Sequence, residues 1–300
     1  MKHLFIVNPV AGGRDSSERV AALAAEALPD GYELYKTTGT GDATRRVRQA
    51  AEQGEATRVY ACGGDGTFSE CVAGAVHAEN LAVTHFPCGT GNDFIKMFGA
   101  EAALFSDLAH LTDGETHPLD VIACNDRISI NICSVGIDAR IGVDVHKYSS
   151  LPLVGGKAAY VVSTIVNFIK GINRPLRVTA AGQHFAGGMV LVCACNGCYY
   201  GGSFHPAPDA RPDDGQLDIL VIRRASRLTF LRVVFPYAKG HAARFPQYIT
   251  QLRGTELHIE ADEDFVAQLD GEPMHCRDLT LRVLPGAVNF LCPRGMNFFR

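Results

Sequence analysis

The run ACGGDGTFSE, residues 61–70, constrains the fold more than any other stretch of the 300-residue chain. Ahead of it, Thr57 to Cys62 is a short β-branched and apolar run that reads as a buried strand. Behind it, Phe68, Cys71, Val72, Ala75 and Val76 recur at helical spacing, with Thr67 placed to cap the first turn. A strand that breaks into glycines and reopens as a helix is an α/β device. Its glycines let backbone amides approach an anion, and the helix N-terminus adds favourable partial charge. Asp65 adds a carboxylate, which suits a polyphosphate only where a divalent cation stands between the two. The loop thus points to a nucleotide with Mg2+. Taken alone it is equally a tight strand-to-helix turn, because glycine and aspartate are ordinary turn residues.

The surrounding pattern favours the first reading. Residues 1–118 alternate as strands and helices: strands at His3–Val7, Tyr32–Lys36, Thr57–Cys62 and Leu81–Phe86, and helices after Asn8–Gly13, after a turn closed by Asp42, and after the glycine loop. Such alternation predicts a parallel sheet covered by helices. Each turn (Asn8–Gly13, Thr37–Asp42, Gly63–Thr67 and Pro87–Asp93) follows a strand, so all are expected at the carboxyl edge, where open α/β sheets bind ligands. No GxxxxGK[ST] and no GxGxxG after a strand occurs, which disfavours the P-loop and dinucleotide readings.

Past Leu119 the texture changes to strand-like segments joined by turns, interrupted by helices near Ala158–Ile169 and Leu228–Ala238. The expectation is a second, mostly antiparallel β-sandwich domain over residues 119–300, following an α/β domain over 1–118. The tail after Asn289 is left open between the two.

A net charge of −4 argues against a general nucleic-acid binder. Met1 to Val7 is too short for a signal-peptide core and reads as a first strand, so the 10 cysteines are expected as reduced thiols in a cytoplasmic protein. Cys193, Cys195 and Cys198 lack a second ligand pair and read as buried thiols rather than a metal site. The Ala158–Ile169 run falls short of the roughly 18 apolar residues that span a bilayer. Membrane contact, if made, is peripheral, at the inner face.

Two acidic turns stand out in the second half. Asp213-Asp214-Gly215 offers oxygens to a hard cation or is a plain turn between strands. Asp270-Gly271-Glu272 offers paired acids or is a hairpin. Between Ile219 and Thr255 lie seven basic residues and no acidic one, interleaved with Phe230, Phe235, Tyr237, Phe245 and Tyr248. That stretch suits an anionic membrane surface or a solvated helix packing its aromatics inward.

In order, the chain carries an NPxxG turn after the first strand, GGDGT, PxGTGND, PDxxxDDGxLD and LDGE. This series resembles the bacterial diacylglycerol kinase and related lipid kinase family, whose catalytic domain is shared with sphingosine kinases. The resemblance runs essentially the full length. It implies an NAD kinase and phosphofructokinase-like α/β domain, a β-sandwich, and ATP held between them. It implies further that Asn8, Pro9, Val10, Ala11, Gly12, Thr37, Gly63, Gly64, Asp65, Gly66, Thr67, Phe68, Ser69 and Thr90 line the nucleotide site, with Asp65 near the catalytic Mg2+. Asp214, with the carbonyls of Arg211 and Gln216, would hold a structural Mg2+. Asp270 or Glu272 would take the proton from a lipid hydroxyl, diacylglycerol foremost. Ala11 replaces a frequent serine, Ser69 a frequent asparagine, and Ile137 an aromatic in the Gly136-Ile137-Asp138-Ala139 segment; none of these removes a carboxylate. The rival readings are an NAD kinase-like enzyme with a soluble acceptor and a nucleotide-binding regulator without catalysis.

Overall fold

A computed structural model of the chain describes residues 1–149 and 157–299. It divides into two compact units: Met1–Val121 with Pro212–Gly215 and Leu284–Arg300, and Ile122–Arg211 with Gln216–Val283.

The first unit runs β1 (Lys2–Val7), α1 (Ser17–Ala27), β2 (Glu33–Lys36), α2 (Asp42–Glu52), β3 (Thr57–Gly63), α3 (Asp65–Ala75) and β4 (Leu81–Pro87). A 3-10 stretch over Phe94–Ser106, α4 (Leu108–Thr112) and β5 (Glu115–Cys124) follow. Strands β4, β3, β1 and β2 lie side by side and parallel. Leu4, Phe5, Ile6 and Val7 of β1 are all fully buried. A continuous apolar run of that kind belongs to a strand covered on both faces.

The second unit contains β6 (Arg127–Ser129), β7 (Ile132–Gly136), α5 (Ile137–Ser149), α6 (Lys157–Lys170), β8 (Arg174–Ala180) and β9 (Gln183–Cys195). It continues with β10 (Leu217–Arg223), α7 (Arg227–Ala238), β11 (Ile249–Gly254), β12 (Glu256–Leu269) and β13 (Glu272–Cys292), the last running on into the first unit. Here the order is β11-β10-β9-β7-β12-β13, with β8 pairing to β9 and β12, and every pair is antiparallel. Leu176, Val192, Ile219, Leu257, Leu279 and their neighbours form its core. An α/β region followed by a largely antiparallel β region is the architecture the sequence pattern predicts.

Three details depart from it. The apolar run Ile128–Val135, which reads from sequence as one strand, is two, β6 and β7, because the backbone amides of residues 130–132 bond a side chain rather than a neighbouring strand. Helix α5 and edge strand β11 were not anticipated. Gly142 and the β-branched Ile141 and Val143 weaken the local helical signal of α5. The chain end, left open above, joins the first unit: Phe290 of β13 pairs in parallel with Val83 of β4. Phe290, Phe298 and Phe299 pack with Phe98 and Phe105, with Phe98 and Phe298 centroids 4.8 Å apart. All ten cysteines are free thiols, and Cys193 and Cys195 share one face of β9 with their sulfurs 3.3 Å apart.

Candidate active site

Parallel strands send their carboxyl ends one way, so the turns after β1 to β4 share one edge of the first unit. Hydrogen bonds tie them together. Asn8 donates its backbone N–H to the Cys62 carbonyl (3.0 Å) and its Nδ2 to Thr67 Oγ1 (3.2 Å). The Thr37 amide donates to Val7 O (2.9 Å), and the Cys88 and Gly89 amides both donate to Gly63 O (2.8 and 3.0 Å). Two glycines are obligatory. Gly12 has φ +65° and a Cβ there would lie 2.5 Å from the Cys88 carbonyl; a Cβ on Gly89 would lie 2.4 Å from Gly64 Cα. The first, third and fourth turns therefore meet backbone to backbone.

Helix α3 opens from Gly64, a residue with no side chain to cap its first turn. The leading amides of a helix have no intrahelical partner, and a helix start of this kind suits an anion. Thr67 does not cap that turn, as its position had suggested; its hydroxyl instead accepts from Asn8. The Asp65 carboxylate sits on the same turn and accepts the Phe94 amide at 3.1 Å. Glycine amides beside a carboxylate are a donor set that fits a nucleotide polyphosphate with Mg2+.

His85 lies beneath this loop. Its ring is fully buried, stacks on Phe68 at 5.0 Å, and approaches Gly63 O with Nε2 at 3.1 Å. Burial pushes its pKa down to about 4, so at neutral pH the ring is uncharged and Nε2 carries the proton it donates. At the neighbouring turn, Gly41 rather than Asp42 stands at the cap of α2. Asp42 accepts the Thr38 amide (2.7 Å) and the Tyr35 hydroxyl (2.9 Å), which holds its carboxyl below the usual range. Glu70 of α3 takes the Gly41 and Ala43 amides at 2.8 and 3.2 Å, satisfying the start of α2.

A second acidic group belongs to the first unit. Asp120 of β5 is buried, and its carboxylate accepts the Gly215 and Gly286 amides, each at 2.7 Å. Its own amide donates to Pro212 O at 2.7 Å. Burial raises its pKa, the two amides oppose the rise, and Asp214 and Asp213 add to it. Asp213 and Asp214 stand on the turn that Asp120 binds through the Gly215 amide, near enough for their charge to act on its carboxyl. Asp214 lies in the first unit, and Arg211 and Gln216 in the second.

Within the second unit, Asp270 and Glu272 differ sharply. Asp270 has φ +50° on the turn joining β12 to β13. Its Oδ1 accepts from Ser129 Oγ (2.7 Å), Asn131 N (3.0 Å) and Ile132 N (3.1 Å), and its Oδ2 from Ile130 N (2.8 Å). This carboxylate is committed to holding the β6–β7 turn. Glu272 opens β13 in an exposed position, and among the described residues its carboxylate has no hydrogen bond or ion pair. It is the freer of the two to accept a proton.

The second unit also contains a cleft of about 590 Å³, part of it open to solvent. Ile137, Ile141, Leu191, Ile222, Val233 and Phe230 are among the apolar residues of its walls. Its polar side chains are Asp138, Tyr160, Tyr200, Tyr237 and Tyr248, with the Tyr200 and Tyr237 hydroxyls 3.2 Å apart. Asp138 accepts from Ser134 Oγ (2.6 Å) and the Ala139 amide (2.7 Å). Burial still raises its pKa against those bonds. An apolar cleft with one carboxyl and a few tyrosine hydroxyls suits a hydrocarbon chain bearing a polar end.

Residues 2–124 match the diacylglycerol kinase catalytic domain, and residues 131–292 match the YegS C-terminal NAD kinase beta sandwich-like domain. A Pseudomonas aeruginosa (strain UCBPP-PA14) protein described as "Probable lipid kinase YegS-like" is 30% identical over 293 residues, covering 96% of this chain and 94% of that protein. The chain belongs to the YegS-like and diacylglycerol kinase family of lipid kinases. A Bacillus subtilis (strain 168) protein described as diacylglycerol kinase is 28% identical over 279 residues, covering 89% of this chain and 88% of that one. A crystal structure of a Bacillus anthracis str. Sterne protein assigned provisionally as a diacylglycerol kinase superposes with a TM-score of 0.76 at 26% identity, covering 99% and 98% of the two chains.

The first unit gathers Asn8, Pro9, Val10, Ala11, Gly12, Thr37, Gly64 and Thr90 on turns of one sheet edge, with Gly63 at the end of β3 and Asp65, Gly66, Thr67 and Ser69 in the opening turns of α3. Phe68 differs: its ring is fully buried against His85, Phe94 and Phe290, so only its backbone belongs to that edge. Sequence reasoning missed Asp120, His85 and Glu70. Asp120 had one legible signal, an acid inside the apolar run Leu119–Cys124; His85 and Glu70 had none, since their partners are backbone groups of distant turns.

Proposed function

We propose that this lipid kinase phosphorylates diacylglycerol, giving phosphatidic acid. The observation that carries this reading is the apolar cleft of the second unit, with its few polar groups, in a chain whose first unit has a glycine and aspartate loop for a polyphosphate. In this reading ATP takes the turns around Gly63–Thr67 and Gly89, with Mg2+ beside Asp65. A structural Mg2+ takes Asp214 with the carbonyls of Arg211 and Gln216, supported by Asp120. Bound Mg2+ would neutralise charge on the phosphates during transfer.

Glu272 is the proton acceptor for the lipid hydroxyl in this reading, and Asp270 is a positioning residue. What supports the division is hydrogen bonding: Asp270 already accepts four donors, and Glu272 none. A general base contributes about 10²–10⁴-fold to rate. Glu272→Gln is therefore expected to lower kcat on diacylglycerol in mixed micelles by about that factor, while Mg2+-dependent thermal stabilisation by ATP is kept. Unchanged kcat in that variant removes Glu272 from the role. Phosphorylation of NAD in preference to every lipid alcohol offered would overturn the acceptor assignment.

A further inference from the structure

Helix α6 is built inside out. Its polar residues Ser163 and Asn167 are 0% and 2% exposed, while Val161, Ile165 and Ile169 are 55%, 53% and 67% exposed. The inward polar residues are held in place: Ser163 Oγ donates to Ile141 O (2.8 Å) and Asn167 Nδ2 to Asp144 (2.9 Å). The outward residues follow the spacing i, i+4, i+8 and make one continuous stripe. Helix α7 carries a matching one, with Leu228, Leu231 and Phe235 at 80%, 48% and 69% exposure. The two helices are joined, since Arg227 donates to the carbonyls of Phe168 and Ile169 (3.0 and 2.7 Å) and Phe230 packs against Phe168.

Scattered exposed apolar residues need no explanation, but a paired stripe on two bonded helices does. Its charge says what covers it. Neither α6 nor α7 contains an aspartate or glutamate, and Arg232 and Lys239 flank the α7 stripe in exposed positions. A second copy of this chain packed on the same face would set those cations against each other. An anionic lipid surface attracts them and takes up the apolar stripes. Continuity with the cleft agrees, because Tyr160 of α6 and Phe230 and Val234 of α7 line it.

We propose that the α6–α7 face of the second unit docks on an anionic bilayer, lying in the headgroup boundary with Val161, Ile165, Ile169, Leu228, Leu231 and Phe235 inserted. Substrate lipid then enters the cleft from the membrane side; that step rests on the lipid kinase reading above. The face is narrower than the basic stretch 219–255 read from sequence. Tyr237 is buried there, Phe230 and Tyr248 line the cleft, and among its aromatics Phe235 has its ring largely exposed.

The test uses the full chain and two variants, Ile165→Ser/Ile169→Ser and Leu228→Ser/Phe235→Ser, with sedimentation on phosphatidylcholine vesicles with and without phosphatidylglycerol. Turnover is measured on vesicle-borne diacylglycerol and on a short-chain diacylglycerol below its micelle concentration. The wild type is expected to bind anionic vesicles, more weakly as salt rises. Each variant should lose at least tenfold in vesicle binding and vesicle turnover, and keep its rate on the dispersed substrate. Vesicle binding equal to wild type in both variants overturns the proposal. So does a variant that loses the dispersed-substrate rate as well, or one that converts a dimer to a monomer by light scattering with vesicle binding unchanged. Wild type without turnover on either substrate sinks the kinase reading instead, and leaves the binding result standing.

Discussion

The two units treat polarity in opposite ways. In the first, the candidate site is built of backbone: glycine turns touch one another, α3 opens from a glycine without a side-chain cap, and the side chains behind them are apolar rings and one neutral histidine. In the second, the candidate features are built of side chains. An apolar cleft opens inside the unit, and α6 turns Ser163 and Asn167 inward while Val161, Ile165 and Ile169 face out. A site for a polyphosphate needs N–H groups at fixed positions, which backbone supplies. A site for a lipid needs apolar area, which backbone cannot supply.

The largest test of this contrast concerns His85. Folding depresses its pKa from 6.5 to about 4. Its contribution is therefore fully present above the unfolded value and is lost as pH falls through that window. Linkage over this interval amounts to about 3 kcal/mol. A His85→Phe variant should lack that loss, so its urea midpoint relative to wild type should improve between pH 7 and pH 4.5. An identical pH dependence in both proteins would mean that the ring is charged or solvated in the folded state.

Next in size is Asp270→Ala, which leaves the amides of Ile130, Asn131 and Ile132 without their acceptor. Bonds to a charged group are worth about 1.5–3 kcal/mol each, and partial rehydration limits the loss. A drop of about 2–4 kcal/mol in unfolding free energy is expected, larger than the change caused by Glu272→Gln. Equal stability in the two variants would erase the distinction between the positioning acid and the proton acceptor.

The smallest effect bears on α6. Ser163→Ala removes a buried bond and should cost about 1 kcal/mol, whereas Ile165→Ser on the exposed stripe should stay within about 0.5 kcal/mol. Denaturant titration in the absence of lipid compares them. For an ordinary amphipathic helix the order would be reversed, and finding that reversal would break the contrast drawn above.

Much of the first unit was legible because its constraints are local. A glycine at Gly12 or within Gly63–Gly66 announces a backbone path that other residues resist, and strands alternating with helices leave few ways to place those turns. The β6–β7 turn was not legible, since its amides are satisfied by Asp270, about 140 residues along the chain. Helix α5 was missed for a related reason: packing on β7 and β12 sustains a segment whose own propensity is low.

By itself the sequence determined the class of each half, the order of the turns that carry glycine and acid, and the family to which the chain belongs. Those follow from spacing, which no packing can alter. The tertiary structure alone decided that Asp270 is bound and Glu272 free, that Asp120 takes the Gly215 and Gly286 amides, and that α6 shows its apolar side to the outside. Burial and hydrogen bonding between distant residues set these, and neither can be computed from neighbours along the chain.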